Sequence, residues 1–218
     1  MSRGLFITFE GSEGCGKSTQ VQRLAARLER DGRPFLLTRE PGGTAIGEKI
    51  RHLLQFAPES AAMFPETEVL LFEASRSQLV RETIRPARER GELVISDRFL
   101  DSTTVYQGVA RKLDAATVEQ LNRFAVGDCR PDVTIILDVD VATARARMLR
   151  RVRPVTAPDR MEQEPVEFYE RVCAAYRDLA AREPERVHLV DGSRSADEIE
   201  SDIWKLIEAK LGRRISHT

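Results

Sequence analysis

Short apolar runs recur along the chain at the length of β-strands, and the longer segments between them place apolar residues three or four positions apart. The runs predict strands, and the three-or-four spacing predicts amphipathic helices. Strands that alternate with helices indicate βαβ units, right-handed crossovers and a parallel sheet in an α/β fold. The predicted strands are Leu5–Phe9, Pro34–Thr38, Leu93–Asp97, Val133–Asp138 and Val187–Asp191.

Three helical segments in the first half of the chain have apolar residues at helical spacing. In the first, which ends at Asp31-Gly32, these are Val21, Leu24, Ala25 and Leu28, and in the second Ile46, Ile50, Leu53 and Leu54 form one helical face. The third covers 66–90, where Pro86 is a site for a kink, and its predicted core residues are Val69, Leu70, Ala74, Leu79 and Ile84. Further helices are predicted around 114–126, 141–151, 165–182 and 195–211.

Polar segments follow several predicted strands at the point where each strand ends. In an open parallel sheet, ligands bind beyond the carboxyl ends of the strands. The sequence therefore predicts a site at one edge of the sheet, formed by Gly11–Ser18, Arg39–Thr44, Asp97–Arg98 and Asp138.

The segment between the first strand and the first helix fits the phosphate-loop pattern Gly-x-x-x-x-Gly-Lys-Ser. Glycines let backbone N–H groups turn inward, and the start of the helix adds its own donors and its positive dipole end. Lys17 is predicted to reach the β- and γ-phosphates of a nucleotide, and the Ser18 hydroxyl to bind Mg²⁺. A glycine-rich turn without a ligand is the alternative. The predicted nucleotide contacts are Gly11, Ser12, Glu13, Gly14, Cys15, Gly16, Lys17, Ser18 and Thr19.

Composition narrows the range of partners. The chain has 218 residues, 34 basic and 35 acidic, and a formal net charge of −1, so no charge excess indicates nucleic acid or a membrane surface. It contains no apolar run of about 18 residues, and its three cysteines are too far apart in sequence to suggest a zinc site or a disulfide framework. We interpret residues 1–218 as a single cytoplasmic domain with small-molecule ligands.

Several motifs behind the phosphate loop resemble those of the thymidylate kinase family, and the resemblance covers nearly the whole chain, from about Leu5 to Leu211. They are Thr38-Arg-Glu-Pro-Gly-Gly-Thr44, Asp97-Arg-Phe99, Tyr106-Gln-Gly108, Pro131-Asp-Val-Thr134 and Asp159-Arg-Met-Glu162. The resemblance implies transfer of the γ-phosphate of ATP to dTMP with Mg²⁺. It also implies a P-loop NTPase fold of the nucleoside monophosphate kinase type, with a five-stranded parallel sheet flanked by helices and a homodimer.

The resemblance also implies roles for residues beyond the phosphate loop. Arg98 matches the arginine that holds the dTMP phosphate, Arg51 matches a second such arginine, and Arg39 is a third candidate. An ionised phosphate acceptor needs no strong base, so cations are expected to dominate such a site. Glu13 matches an acidic residue near the 3′-hydroxyl and phosphate of dTMP, and Asp97 occupies the position of a Walker-B-like acid for Mg²⁺.

A thymine pocket is implied by four further residues. Phe72 matches the ring that stacks on the base, although its spacing alone also fits an ordinary core residue. Arg76, four residues later on the same helix face, matches a guanidinium that bonds a base carbonyl. Thr103 and Gln107 complete the implied pocket.

An arginine-rich stretch at 145–153 runs into a proline-bounded loop and resembles the lid of the bacterial enzymes, here about residues 147–160. The resemblance implies that a lid arginine supplies charge to the transition state, because the phosphate loop has none. The candidates are Arg147, Arg151 and Arg153. Asp159-Arg160-Met161-Glu162 is predicted to anchor the lid.

Two alternatives remain open at this stage. One is a nucleoside monophosphate kinase for another base, such as dUMP, UMP or AMP. The other is a nucleotide-dependent switch or regulatory ATPase that binds a partner protein. A switch would hydrolyse ATP without an acceptor and would gain nothing from dTMP.

Overall fold

The computed structural model describes residues 3–150 and 160–215, and its centre is one sheet of five parallel strands in the order β2-β3-β1-β4-β5. The predicted α/β fold with a parallel sheet is therefore confirmed, with each boundary within a residue of the prediction. The strands are β1 (Phe6–Glu10), β2 (Phe35–Arg39), β3 (Leu93–Asp97), β4 (Val133–Asp138) and β5 (Val187–Asp191).

Helices cover both faces of the sheet, as the connections between parallel strands require. Two widened turns with π-type bonding lie at Val80–Ile84 and Thr104–Ala110, and 3₁₀ turns lie at Pro58–Ala62 and Arg160–Gln163. The α-helices are α1 (Lys17–Arg30), α2 (Ala45–Gln55), α3 (Pro65–Leu79), α4 (Arg85–Glu89), α5 (Leu100–Thr103), α6 (Ala115–Val126), α7 (Val141–Leu149), α8 (Val166–Arg182) and α9 (Ala196–Ile215).

Strand position explains which strands are most apolar. The three central strands have apolar, buried side chains along nearly their whole length, because helices pack on both of their faces. The edge strands β2 and β5 are only partly buried. In register, Phe9 pairs with Asp97, and Arg39 also pairs with Asp97. The carboxyl ends of β1, β2 and β3 therefore meet at one edge, as predicted.

The segment after β3 is helical from Leu100 to Ala110, which the sequence analysis did not predict. Its β-branched residues and Gly108 have low intrinsic helix propensity. The carboxylate of Glu10 offsets this by accepting hydrogen bonds from the backbone N–H of Phe99 at 2.8 Å and of Ser102 at 3.3 Å. A residue of β1 thus stabilises the start of a helix that is ninety residues away in sequence.

The predicted stretch 66–90 is helical from Pro65 to Glu89 and contains a π-type turn at Val80–Ile84. Pro86 has no N–H to donate to the carbonyl of Glu82, four residues earlier, and Glu82 lies within this turn. The irregularity therefore lies next to the proline.

Two predicted core residues, Leu70 and Ala74, are wrong, and two apolar residues of the face predicted for α2 are also exposed. Ile46 and Leu53 of α2 and Leu70 and Ala74 of α3 are exposed, while Val69, Leu79 and Ile84 are buried. The apolar residues of these helices therefore extend beyond the faces that pack against neighbouring helices. No helix within residues 3–150 and 160–215 has the length and apolar composition needed to cross a membrane.

Candidate active site

The loop between β1 and α1 has the backbone geometry that a bound phosphate requires. Gly11, Gly14 and Gly16 have φ angles of +133°, +77° and +101°, values that side chains with a Cβ rarely adopt. A Cβ on Gly14 would lie 2.3 Å from the backbone oxygen of Ala144, so packing against α7 also requires glycine there. Helix α1 begins directly after Gly16, with its N-terminal amide groups at the loop.

Lys17 lies inside this loop rather than on the surface. Its Nζ donates hydrogen bonds to the carbonyl oxygens of Gly11 at 3.0 Å and Ser12 at 2.9 Å, and the side chain is buried. The loop therefore holds the ammonium group where the predicted phosphates would lie.

Ser18 and Asp97 meet at the carboxyl edge of the sheet. The Ser18 hydroxyl donates to a carboxylate oxygen of Asp97 at 3.0 Å. A hydroxyl and a carboxylate beside a phosphate loop suit Mg²⁺, which keeps several waters and needs few protein ligands. Among the described residues there is no cluster of three or more His, Cys, Asp or Glu side chains that could bind a metal.

Two cavities open at this edge and share Glu13, Gln55 and Arg98. We call one the charged cavity; it is lined by Glu13, Gly14, Gly16, Lys17, Ser18, Arg39, Glu40, Arg51, Gln55, Asp97, Arg98 and Glu162. We call the other the aromatic cavity; it is lined by Glu13, Pro41, Gln55, Phe72, Arg98, Ser102, Thr103, Tyr106, Gln107 and Met161.

Arg98 lies between the two cavities. Its guanidinium donates to the Gly11 carbonyl at 3.2 Å, the Ser102 hydroxyl at 3.1 Å, the Tyr106 hydroxyl at 3.2 Å and the Glu13 carboxylate. Burial alone would lower the pKa of Arg98, but the Glu13 carboxylate and its other neighbours raise that pKa well above the usual value. The cation is therefore permanent and is held facing both cavities.

Arg39 and Arg51 line the charged cavity together with residues of the phosphate loop. Arg39 donates to both carboxylate oxygens of Glu48, at 2.9 and 3.0 Å, and Arg51 donates to the Pro41 carbonyl at 3.0 Å. The structure thus brings the three predicted phosphate-binding arginines to one cavity.

The predicted base residues separate into two groups. Phe72, Thr103 and Gln107 line the aromatic cavity, but Arg76 lies behind it with 1 % of its side chain exposed. Its guanidinium donates to Glu40 at 2.8 Å, to Thr103 at 2.8 Å and to Glu73. Arg76 therefore contacts the cavity through Thr103, and its direct bond to a base stays a prediction.

The predicted lid arginines are only partly described. Arg147 donates to the carbonyl of Gly192 at 2.8 Å and to that of Cys15 at 3.4 Å, which places it behind the phosphate loop and outside the lining of either cavity. Arg151 and Arg153 lie outside the described residues. Which arginine acts on the transition state stays a prediction.

Sequence reasoning missed a buried network beneath Arg98. Glu10, which is fully buried, accepts from the hydroxyls of Ser102 at 2.6 Å and Tyr176 at 2.8 Å, and burial raises its pKa. Tyr106 places its ring 5.0 Å from the Arg98 guanidinium carbon. In the sequence, the signal for this network is Glu10, an acidic residue at the end of an otherwise apolar strand.

Glu40, Glu73 and Arg76 place two carboxylates and one guanidinium in a buried cluster. Burial raises the pKa of Glu40 to about 7, although Arg76 opposes the shift. Because the folded state holds this proton between about pH 4.5 and pH 7 while the unfolded state releases it, we expect the free energy of unfolding to fall as the pH rises through that window. A shift of 2.5 units corresponds to a loss of up to about 3 kcal/mol.

Urea denaturation from pH 4.5 to 7.5 would measure this loss, with Glu40→Gln as the comparison. The variant has no proton to release at position 40, so its stability should fall less over the window. If the free energy of unfolding falls equally with pH in the two proteins, Glu40 is not the source of the loss.

Taken together, the site couples a phosphate loop to a second cavity that contains an aromatic ring, an amide and a permanent cation. This arrangement, on a five-stranded parallel sheet, defines a nucleotide kinase of the phosphate-loop class.

Comparison with known proteins narrows the class to one family. The family model for thymidylate kinase matches residues 9–203. Thymidylate kinases of Afipia carboxidovorans and Deinococcus radiodurans are 46 % and 43 % identical over 209 and 210 residues. These matches cover 96 % of this chain in both cases, and 91 % and 99 % of the two relatives.

A solved structure supports the same assignment. The crystal structure of thymidylate kinase from Ehrlichia chaffeensis superposes with a TM-score of 0.75 at 32 % identity, covering 94 % of this chain and 99 % of that one. The chain belongs to the thymidylate kinase family, as its motifs predicted.

Proposed function

We propose that this protein transfers the γ-phosphate of ATP to dTMP, producing ADP and dTDP. The observation that carries this proposal is the position of Arg98, which faces both the cavity beside the phosphate loop and the cavity beside Phe72. A cation placed between donor and acceptor sites can hold the acceptor phosphate in line with the γ-phosphate. The acceptor oxygen is already ionised near neutral pH, so the reaction needs alignment and charge neutralisation rather than a strong base.

Each cavity has a distinct part in this reaction. The phosphate loop and Lys17 bind the donor phosphates, and Arg39, Arg51 and Arg98 bind the acceptor phosphate. Phe72 stacks on thymine, and Thr103 and Gln107 provide polar contacts to the base. Glu13 keeps Arg98 oriented and lies near the acceptor phosphate.

Mg²⁺ is proposed as the cofactor, bound beside the phosphates by Ser18 with help from Asp97. The ion would neutralise charge on the donor phosphates. At a fixed ATP concentration, the rate of phosphate transfer should rise with the Mg²⁺ concentration until the nucleotide is saturated with the ion. Full activity in excess chelator would contradict the assignment.

A homodimer is proposed from the exposed apolar residues of three neighbouring helices. Helix α3 packs against both α2 and α6, and the three together expose Ile46, Leu53, Leu70 and Phe124, the last 79 % exposed. Exposed apolar residues on adjacent helices suit an interface between copies. Sedimentation velocity should show a dimer that Leu70→Glu dissociates, and a wild-type monomer at assay concentration would exclude it.

We also propose that the chain is one domain with a lid over about 147–160 and acts in the cytoplasm. The three cysteines are all free thiols, which suits a reducing compartment. A lid that closes over both nucleotides would exclude water and favour transfer over hydrolysis.

An acceptor panel tests the proposed reaction. ADP formation from ATP and Mg²⁺ is measured with dTMP, dUMP, UMP, AMP or no acceptor. We expect dTMP to raise the rate by about 100-fold or more over the rate without acceptor, because water is a poorly positioned nucleophile in a site built for a phosphate.

The other outcomes identify the competing functions. Equal ADP formation with and without an acceptor would indicate a switch or an ATPase. Faster turnover with another monophosphate would indicate a kinase for a different base.

A further inference from the structure

Glu68 is a buried carboxylate in the first turn of α3 that neither the phosphate loop nor the proposed reaction explains. It lies four residues before Phe72 on the same helix, and 1 % of its side chain is exposed. A buried carboxylate is strongly unfavourable unless it is paired and hydrogen-bonded. Its partners therefore indicate what it holds in place.

Three side chains from two other parts of the chain donate to Glu68. Gln107 donates from Nε2 at 2.7 Å, Arg111 donates from Nε and Nη2 at 3.2 Å each, and Arg160 donates from Nη2. Burial on its own would raise the pKa of Glu68, but Arg111, Gln107 and Arg160 together hold that pKa below its usual value. Glu68 is therefore ionised and can only accept hydrogen bonds.

The bond to Gln107 fixes the orientation of an amide that lines the aromatic cavity. Because an ionised carboxylate has no proton to donate, the NH₂ end of Gln107 must face Glu68. The Gln107 carbonyl oxygen is then the end left for the cavity. An acceptor at this position suits a base with a ring N–H, such as thymine or uracil, and disfavours cytosine, whose corresponding ring nitrogen is itself an acceptor.

The bond to Arg160 fixes the turn at the end of the predicted lid. Arg160 donates from its Nε to the Leu54 carbonyl at 3.2 Å, next to Gln55, which lines both cavities. Within the same 3₁₀ turn, Met161 lines the aromatic cavity and Glu162 lines the charged cavity. Glu68 thus holds this turn against α3 and α2.

We propose that Glu68 is a positioning residue for the acceptor nucleotide, which fixes the Gln107 amide toward the base and holds the 160–163 turn in the site. The inference rests on the proposed function and explains how the site selects the base of the acceptor nucleotide. Glu68 itself does not line either cavity, so its effect passes through Gln107 and the turn.

The test compares Glu68→Gln with Glu164→Gln. Glu164 also pairs with Arg111, at 2.5 Å, but in the described part of the chain it bonds neither Gln107 nor Arg160, so it controls for loss of a carboxylate beside Arg111. We expect Glu68→Gln to raise KM for dTMP about 10-fold and to lower the preference for dTMP over dCMP about 10-fold. KM for ATP should stay within twofold, and Glu164→Gln should match wild type.

A double variant distinguishes an effect that passes through Gln107 from a general disturbance of the active-site structure. If Glu68 acts on base selectivity through Gln107, then Glu68→Gln should change the dTMP/dCMP preference little in a Gln107→Ala background. An equal loss of preference in both backgrounds would overturn the role assigned to Gln107. Wild-type KM and preference in a folded Glu68→Gln variant would overturn the whole proposal.

If Glu68→Gln does not fold, the variant Glu68→Asp provides the test instead. Aspartate keeps the charge but is one methylene shorter, so it cannot reach all three partners, and we expect the same changes in KM and preference. A folded Glu68→Asp variant with wild-type values would reject the proposal. Failure of wild type to phosphorylate dTMP would instead reject the proposed function, and the two results are distinguishable.

Discussion

Replacing Arg98 with alanine should lower kcat/KM for dTMP about 10³-fold, equivalent to about 4 kcal/mol of transition-state stabilisation. Arg98 is the cation shared by the two cavities, and its donors face the loop carbonyl of Gly11 and the carboxylate of Glu13. Without it, negative charge on the acceptor phosphate would be poorly neutralised and the Glu13 carboxylate would repel that phosphate. Steady-state kinetics with dTMP varied at saturating ATP would measure the loss.

Two further variants sharpen this result. Arg98→Lys keeps the charge but loses the planar fork, so we expect it to remain well below wild type. Arg90→Ala removes an exposed arginine that bonds Glu92 at 2.6 Å, and its activity should be unchanged. An Arg98→Ala enzyme within threefold of wild type would show that Arg98 does not hold the acceptor phosphate.

Replacing Arg76 with methionine should destabilise the fold by about 3–5 kcal/mol at pH 7.5. Arg76 is the buried cation between Glu40 and Glu73, and it also donates to the Asn122 side chain at 3.2 Å and to the Phe99 carbonyl at 3.2 Å. Methionine fills similar space but leaves two buried carboxylates without their cation. The free energy of unfolding in urea would measure the effect.

The pH and the partner carboxylates provide the controls. Burial raises the pKa of Glu40 to about 7 and also raises that of Glu73, so protonation of Glu40 at pH 5 should reduce the cost of the Arg76→Met change. Adding Glu40→Gln and Glu73→Gln should restore part of the stability at pH 7.5. A pH-independent loss that the double replacement does not reduce would point to packing rather than to buried charge.

The parts of the site that sequence predicted are those formed by neighbouring residues. The glycines, Lys17 and Ser18 of the phosphate loop lie within eight residues, and their backbone conformations follow from residue type. Arg39, Asp97 and Arg98 were predictable because each lies at or directly after the end of a strand, and parallel strand ends share an edge. The prediction of a parallel sheet was therefore enough to place these three residues at one edge.

The parts that sequence missed depend on contacts between distant residues. Glu68 and Arg160 are 92 positions apart, and Glu10 and Tyr176 are 166 apart. In the sequence, Glu68 looks like an ordinary surface charge of a helix, because its burial depends on which elements pack over it. Glu10 ends an apolar strand, and its partners are likewise set by the elements that cover it. The arginine at 76 was assigned to a pocket by resemblance, and only the packing of Glu40 and Glu73 revealed how fully it is enclosed.

By itself, the sequence determined the α/β alternation, the parallel sheet, the phosphate loop and the family, because these depend on periodicity, glycine conformation and short motifs. Tertiary structure alone decided the helical segment 100–110, the exposure of Leu70 and the buried networks of Glu10, Glu68 and Arg76. The physical reason is that a residue's solvent exposure and charge partners are set by the elements that cover it, and those elements come from remote parts of the chain.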